Sequence, residues 1–398
     1  MMYSGLCYAR SGMLKPITFL AGVNVKTTKT NPTTAQTPRL SPQEQEAQLL
    51  KRRKAAKRKR TMRVIDRIFG FFLATGIVLG VSGLALEYVL VKGPSPALAK
   101  QFVNTMHETR RFGFISHVFL SDEEVEAMVS GGDEGVADFD SSLITIASQQ
   151  SGEGDSQQTD DGADKYGLSD EDGDGIIYTE VKGKTYAGHM IIVLDPSRVF
   201  CGRPDNYGGV GLTLEQMVDK YDAIGGINAG GFLDENGAGF GGLPQGITYI
   251  DGECVRNETD GCAFAGFDEN NILHVGYLSY EETQAAGIRD GASFGPVLVI
   301  NGEIAQGDIS NSGVNPRTAI GQRADGAVLM LAIDGRQTHS MGATYQDIAE
   351  IMLDFGAVNA CNLDGGSSTC MYMNGAYVNK CSAAGGLPRP LPSCFLFK

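Results

Sequence analysis

The sequence predicts an α+β fold: a mixed β-sheet domain with packed helices and an internal pseudo-repeat, preceded by one transmembrane helix. Three observations carry that expectation. Residues 68–91 form an almost unbroken apolar run, residues 175–398 alternate short β-branched runs with turn dipeptides, and one helix–strand pattern occurs twice, 131 residues apart.

The N-terminal part is set by charge. Residues 1–63 carry 14 Lys and Arg against two Glu, whereas residues 64–398 carry 19 against 45, so the formal net charge of -14 hides two oppositely charged parts. Between them the run IFGFFLATGIVLGVSGLALEYVLV at 68–91 is interrupted only by Glu87. About 18 or more apolar residues suffice to cross the hydrocarbon core as a helix. The polybasic KRRKAAKRKR at 51–60 directly precedes the run, and Lys/Arg-rich flanks stay on the cytoplasmic side. The expectation is a basic cytoplasmic tail at 1–63, a transmembrane helix at 64–91 and export of everything after it. The run is too long and too far from the start for an ordinary signal peptide, although ALA at 97–99 offers a small-residue cleavage site. A basic run abutting a span is a topology signal, and no nucleic-acid partner is expected.

Residues 92–174 read as an extracellular acidic stalk. Two short helices are expected at 96–111 and 121–129, the second capped by Ser121 with acids in its first turn. From 122 to 174 there are 17 acidic residues and one Lys, a composition too poor in apolar side chains to offset the entropy of ordering. The stretch ends in DEDGDG at 170–175, which invites a calcium-loop reading. Position 12 of such a loop is Val181 instead of a bidentate Glu, so a solvated acidic turn is the expectation and no metal is assigned.

The folded domain is expected at 175–398. IIYTEV, HMIIVLD and AVLMLAID read as strands, and Asp251-Gly252, Asn301-Gly302, Asp325-Gly326 and Asn374-Gly375 read as hairpin turns. The repeated unit pairs residues 213–229 with residues 344–360. In each, a Thr caps a helix whose apolar residues fall at helical spacing, Leu214, Met217, Val218 and Tyr221 in one copy and Tyr345, Ile348, Ala349 and Met352 in the other. Gly225 and Gly356 are expected to end the helices, and a short strand then ends in Asn-Ala. The copies share four identities in 17 positions and suggest two half-sites, NAGGF at 228–232 and NLDGGSS at 362–368, facing one cleft.

The chemistry is expected where apolar strands give way to Gly-rich turns, because such turns expose side chains and backbone amides together. NPRTAIG at 315–321, IDGR at 333–336 and NLDGGSS each place a polar residue there: Arg317, Asp334 and Asp364. The carboxylates of Asp364 and Asp334 are the catalytic candidates; each has an alternative reading as an Asx-turn acceptor. Arg317 is the candidate phosphate clamp, since a guanidinium offers paired donors to phosphate oxygens; its alternative is a structural salt bridge. The amides of Gly365, Gly366, Ser367 and Ser368 form a candidate anion nest with hydroxyls adjacent. His189, His274 and His339 lack metal-ligand spacing, and neither HExxH nor CxxC occurs, so no zinc site and no cofactor are expected. Seven of the eight Cys lie on the exported side, where Cys254 with Cys262 and Cys361 with Cys370 bracket short loops and disulfides could form. With no Trp, sugar stacking would fall to Tyr207, Phe232 or Tyr372.

These motifs, taken in order with PQGITYIDGE at 244–253, GPVLVINGE at 295–303 and the ending LPRPLPS, resemble the phosphodiester glycosidases over residues 175–398. The resemblance implies a hydrolase acting on sugar 1-phosphodiesters, with a carbohydrate or glycosyl-phosphate partner. In a membrane-anchored exported protein that suggests cell-envelope polysaccharide or teichoic-acid-type polymers. It also implies that Asn228, with Gly230, Gly231 and Thr318, lies against the substrate. The substrate is an acetal whose leaving group, a phosphate monoester, is already a weak base, so the enzyme must supply a carboxylate at C1 and donors for the phosphate more than a strong acid. A non-catalytic envelope polysaccharide-binding module and a glycosyl transferase remain open alternatives.

Overall fold

The structure, a computed structural model, describes residues 41–109, 112–129, 139–146, 165–233, 239–307, 309 and 312–398. The first 40 residues of the expected tail and most of the acidic stretch 130–164 lie outside them. The chain divides into two compact units, Met1–Val78 and Leu79–Lys398.

Helix α1 (Pro42–Lys92) starts at Ser41, whose hydroxyl accepts from Glu44 N while the Glu44 carboxylate takes Ser41 N, a reciprocal cap. It contains the one described stretch long and apolar enough to cross a membrane, and none of that stretch is buried by the protein. Helices α2 (Pro96–Glu108) and α3 (Asp122–Val129) follow, capped by Ser95 and Ser121 as their sequences require. Val91, Val103, Leu120 and Val125 close a small apolar cluster among them.

The strands are, in chain order, β1 (Ile176–Lys182), β2 (Ala187–Val193), β3 (Val199–Gly202), β4 (Gly225–Asn228), β5 (Ile247–Ile250), β6 (Glu253–Asn257), β7 (Cys262–Asp268), β8 (Leu273–Leu278), β9 (Ile288–Ser293), β10 (Val297–Ile300), β11 (Glu303–Ile304), β12 (Arg317–Arg323), β13 (Val328–Ile333), β14 (Ala357–Leu363), β15 (Met371–Met373), β16 (Ala376–Tyr377) and β17 (Cys394–Phe397). They form three sheets, ordered β1-β2-β13-β12-β14-β10-β11, β16-β15-β4-β17-β3 and β6-β5-β9-β7-β8. Their strand pairs are antiparallel, as hairpin connections allow. The central strands β12 and β13 are buried along their whole length, so the ends of β12 and of its neighbour β14 are held by a core rather than by loops.

Both copies of the repeat form the expected helix and strand. Helices α4 (Leu214–Tyr221) and α6 (Tyr345–Asp354) begin at Thr213 and Thr344 with full capping boxes, and bury Leu214, Met217 and Val218, and Ile348, Ala349 and Met352. Gly356, at a φ of +86°, follows α6 as expected, but Gly225 does not end α4. Asp222 does, in the left-handed conformation that Asp tolerates, and Gly225 lies inside β4. A short helix, α5 (Tyr280–Ala285), lies between β8 and β9.

The stalk expected at 92–174 is corrected where the structure describes it. Ile144 and Ile146 are buried, Phe139 and Leu168 pack against the main core, and Thr145 N donates to Ala324 O at 2.8 Å. Four apolar side chains spread through the acidic stretch suffice to fasten it, a signal that average composition dilutes. Helix α2 likewise packs by side chains on the 313–317 loop.

Candidate active site

The two repeats meet at their strand ends. Asp364 N donates to Ala229 O at 3.0 Å, and Asn228 Nδ2 donates to Asp364 O at 2.6 Å, joining the end of β4 to the end of β14. Asn228 Oδ1 accepts from Thr318 Oγ1 at 2.8 Å and from Cys370 N at 3.0 Å, which adds β12 and the start of β15 to the junction. Asn228 and Thr318 are 0% exposed. They therefore brace the site from beneath, and the expectation that they touch the substrate is corrected: a fully buried amide with these bonds made is a strut. Gly230 and Gly231 are buried beside them, their amides donating to Ser393 Oγ and Ser293 O.

Asp364 is half-buried at the mouth of this junction and begins the Gly-rich turn. Gly366 N donates to Pro316 O and Ser368 N to Gly365 O, so two of the four amides expected in the nest shape the turn itself. Gly366 has φ +61°, and a side-chain carbon there would lie 3.3 Å from Arg336 Nη2. Glycine suits that backbone and leaves room for the guanidinium. At the next residue, Ser367 Oγ accepts from Arg389 Nη1 at 2.9 Å.

Arg317 packs beside this turn, but its guanidinium is already engaged. It is 4% exposed, its Nε donates to Ala343 O, its Nη2 donates to Gly313 O and to Glu108 Oε2 at 2.7 Å, and its guanidinium lies 4.0 Å from the Tyr345 ring centroid. The structural salt bridge is the role the geometry gives it, with a partner that local sequence could not indicate because Glu108 lies 209 positions away. Asp334 is also buried. Its Oδ1 accepts from Lys380 N at 2.9 Å and from Asn379 Nδ2, and its Oδ2 lies 2.8 Å from His339 Nε2. Both oxygens are thus engaged in holding the 379–380 segment and an imidazole that is itself exposed.

Sequence reasoning missed three residues. Arg336, in IDGR, adopts φ +57° and donates from Nη2 to Asn315 Oδ1 at 2.8 Å and to Thr109 Oγ1 at 3.0 Å. A positive φ at a non-glycine residue is a sign of a constrained loop that no residue pattern announces. His339 sits five positions after Asp334, a spacing that fits no metal motif but suits a tight loop. Arg389, between two prolines, was visible only as part of the closing motif. Of the proposed stacking residues, Phe232 and Tyr372 are buried. The seven described cysteines are free thiols, so no disulfide supports the turn. Asp170, Asp172 and Asp174 offer carboxylate oxygens within 4.8 Å of one another, and each accepts from a nearby backbone N–H.

The phosphodiester glycosidase family model matches residues 221–398, the region that supplies Asn228, Arg317, Asp334, Asp364 and Arg389. Residues 221–398 are thus similar to the phosphodiester glycosidases. Among curated relatives, the SPbeta prophage-derived uncharacterized protein YomE of Bacillus subtilis is 28% identical over 207 residues, covering 50% of this chain and 31% of its own. N-acetylglucosamine-1-phosphodiester alpha-N-acetylglucosaminidase of Mus musculus is 28% identical over 221 residues, covering 49% of this chain and 41% of its own. The chain thus spans under half the length of these relatives. Among solved structures, the zebrafish N-acetylglucosamine-1-phosphodiester alpha-N-acetylglucosaminidase catalytic domain, auto-inhibited by its pro-peptide, matches with 24% identity and a TM-score of 0.47, covering 56% of this chain and 81% of that one. A hypothetical protein from Synechocystis matches with 14% identity and the same TM-score, covering 56% of this chain and 62% of that one.

Proposed function

We propose that this protein is a membrane-anchored, exported hydrolase that cleaves the glycosidic bond of sugar 1-phosphodiesters in cell-envelope polysaccharide or teichoic-acid-type polymers. The observation that carries the reading is Asp364: a half-buried carboxylate braced through its own main chain by β4, at the head of a turn with Ser367 and Arg389 beside it. In the net reaction water adds its oxygen to C1 and the bond from C1 to the phosphoryl oxygen breaks. The electron pair departs with the phosphate monoester, and Asp364 either attacks C1 first or takes the proton of the water. Asp334 acts at one remove, through the loop that it ties and the imidazole of His339. The apolar run of α1, with its basic flank on the N-terminal side, supports a cytoplasmic tail and an external domain.

The test is incubation of the full chain in detergent with a hexosamine 1-phosphate methyl diester. Hydrolysis predicts free sugar and methyl phosphate in equal amounts. Transfer of the sugar to an added acceptor hydroxyl would make the protein a transferase, and binding with no product would make it a recognition module.

A further inference from the structure

We propose that Arg389 is the residue that binds the phosphoryl group of the substrate; this rests on the reading of Asp364 as the carboxylate at C1. An anion needs a local cation here, because residues 64–398 carry 19 Lys and Arg against 45 Asp and Glu, and the mean field of this part repels it. Three guanidinium groups lie near the junction. Arg317 is sealed under Glu108 and Tyr345, and its charge is already met by a carboxylate. Arg336 reaches the same turn at Gly366, but its Nη2 is engaged by Asn315 Oδ1 and Thr109 Oγ1.

Arg389 is placed differently. It is partly exposed, lies with its guanidinium 4.6 Å from the Phe232 ring centroid, and donates from Nη1 to Ser367 Oγ and from Nη2 to Gly239 O, both at 2.9 Å. Ser367 is three positions past Asp364, so the cation stands beside the turn that carries the carboxylate. A hydroxyl that accepts from a guanidinium keeps its own proton to donate, so Ser367 and Arg389 together present donors to one phosphate oxygen set. The backbone under Arg389 is fixed in advance. Pro388 and Pro390 restrict φ on either side, Leu391 and Leu212 exchange backbone bonds at 2.8 and 3.2 Å, and a side-chain carbon at Gly241 would come within 2.3 Å of Pro390 O. That close approach brings the Pro-Arg-Pro segment down against the site. The ligand class is a phosphate monoanion, as in the diester substrate, or the phosphomonoester product.

The experiment uses the full chain in detergent and two readouts, binding of inorganic phosphate by calorimetry and steady-state hydrolysis of the methyl diester. Arg389→Ala is expected to weaken phosphate binding and raise KM by about ten- to a hundredfold, with a smaller change in kcat. Arg389→Lys is expected to recover part of the loss, because charge survives and the fork does not. Thermal melts establish that both variants are folded. A folded Arg389→Ala that binds phosphate like the wild type, or a wild type that binds none, overturns the proposal. Phosphate binding that depends on Arg389 without release of free sugar upholds the anion site and removes the hydrolase reading instead.

Discussion

Glu108 Oε2 lies 2.7 Å from Arg317 Nη2, and it also accepts from Asn315 Nδ2 at 2.7 Å while Glu108 Oε1 takes Gly313 N. One carboxylate from α2 thereby neutralises the arginine at the start of β12 and pins the loop before it. An arginine that is 4% exposed cannot shed its charge and is costly to leave without a partner.

Removing that partner should destabilise the domain. Because Glu108 keeps 24% side-chain exposure, the cost is expected below that of a fully buried pair, about 1–3 kcal/mol for Glu108→Ala. Glu108→Gln should cost less, as the amide oxygen can still accept. Thermal melts of the two variants check the order, and an unchanged melting temperature for Glu108→Ala would show that solvent replaces the pair.

A fragment beginning at residue 175 should be less soluble and less stable than one beginning near residue 95. The shorter fragment loses Glu108 and the buried Ile144 and Ile146. Cooperative unfolding of both fragments at one temperature would restore the free-standing stalk.

Asn228→Ala should weaken fold and site together. It would strand the buried Thr318 Oγ1 and Cys370 N, at about 1–3 kcal/mol each unpaired, and free the half-buried Asp364 carbonyl. The expected result is a melting temperature well below wild type with reduced kcat. Normal stability with a raised KM alone would return Asn228 to direct substrate contact.

Stability should fall on mild acidification. Burial on β2 pushes His189 below its ordinary value of 6.5, against the opposing pull of the Asp334 and Glu180 charges. The unfolded chain takes up that proton first, so the contribution is intact above about pH 6.5 and is lost as pH falls through the depressed folded value. His189→Gln should flatten this part of the melting profile below about pH 6.5. A profile as steep as wild type would assign the sensitivity elsewhere.

Much of the framework is legible because local rules govern it. Thr213 and Thr344 announce helices through capping chemistry, and Asp251-Gly252, Asn301-Gly302 and Asn374-Gly375 supply consecutive positive φ values that hairpins demand. Asp325-Gly326 is a looser turn, with only Gly326 at positive φ. The site was readable as a set of strand ends but not as a set of roles. Whether Arg317 meets a phosphate or Glu108, and whether Asn228 faces substrate or Thr318, depends on contacts between residues 90 and 209 positions apart. No period or motif encodes those distances. Arg389 illustrates the same limit, since its place beside Ser367 is set by the close packing of Gly241 against Pro390.

The most direct measurement is release of free sugar from the methyl diester by the full-length chain carrying Asp364→Asn, with folding verified by its melting temperature. If Asp364 is the carboxylate at C1, turnover should fall by about 10²–10⁴-fold while phosphate binding stays near wild type, because the lost charge acts chiefly in the transition state. A folded Asp364→Asn protein that releases sugar at close to the wild-type rate would contradict the account.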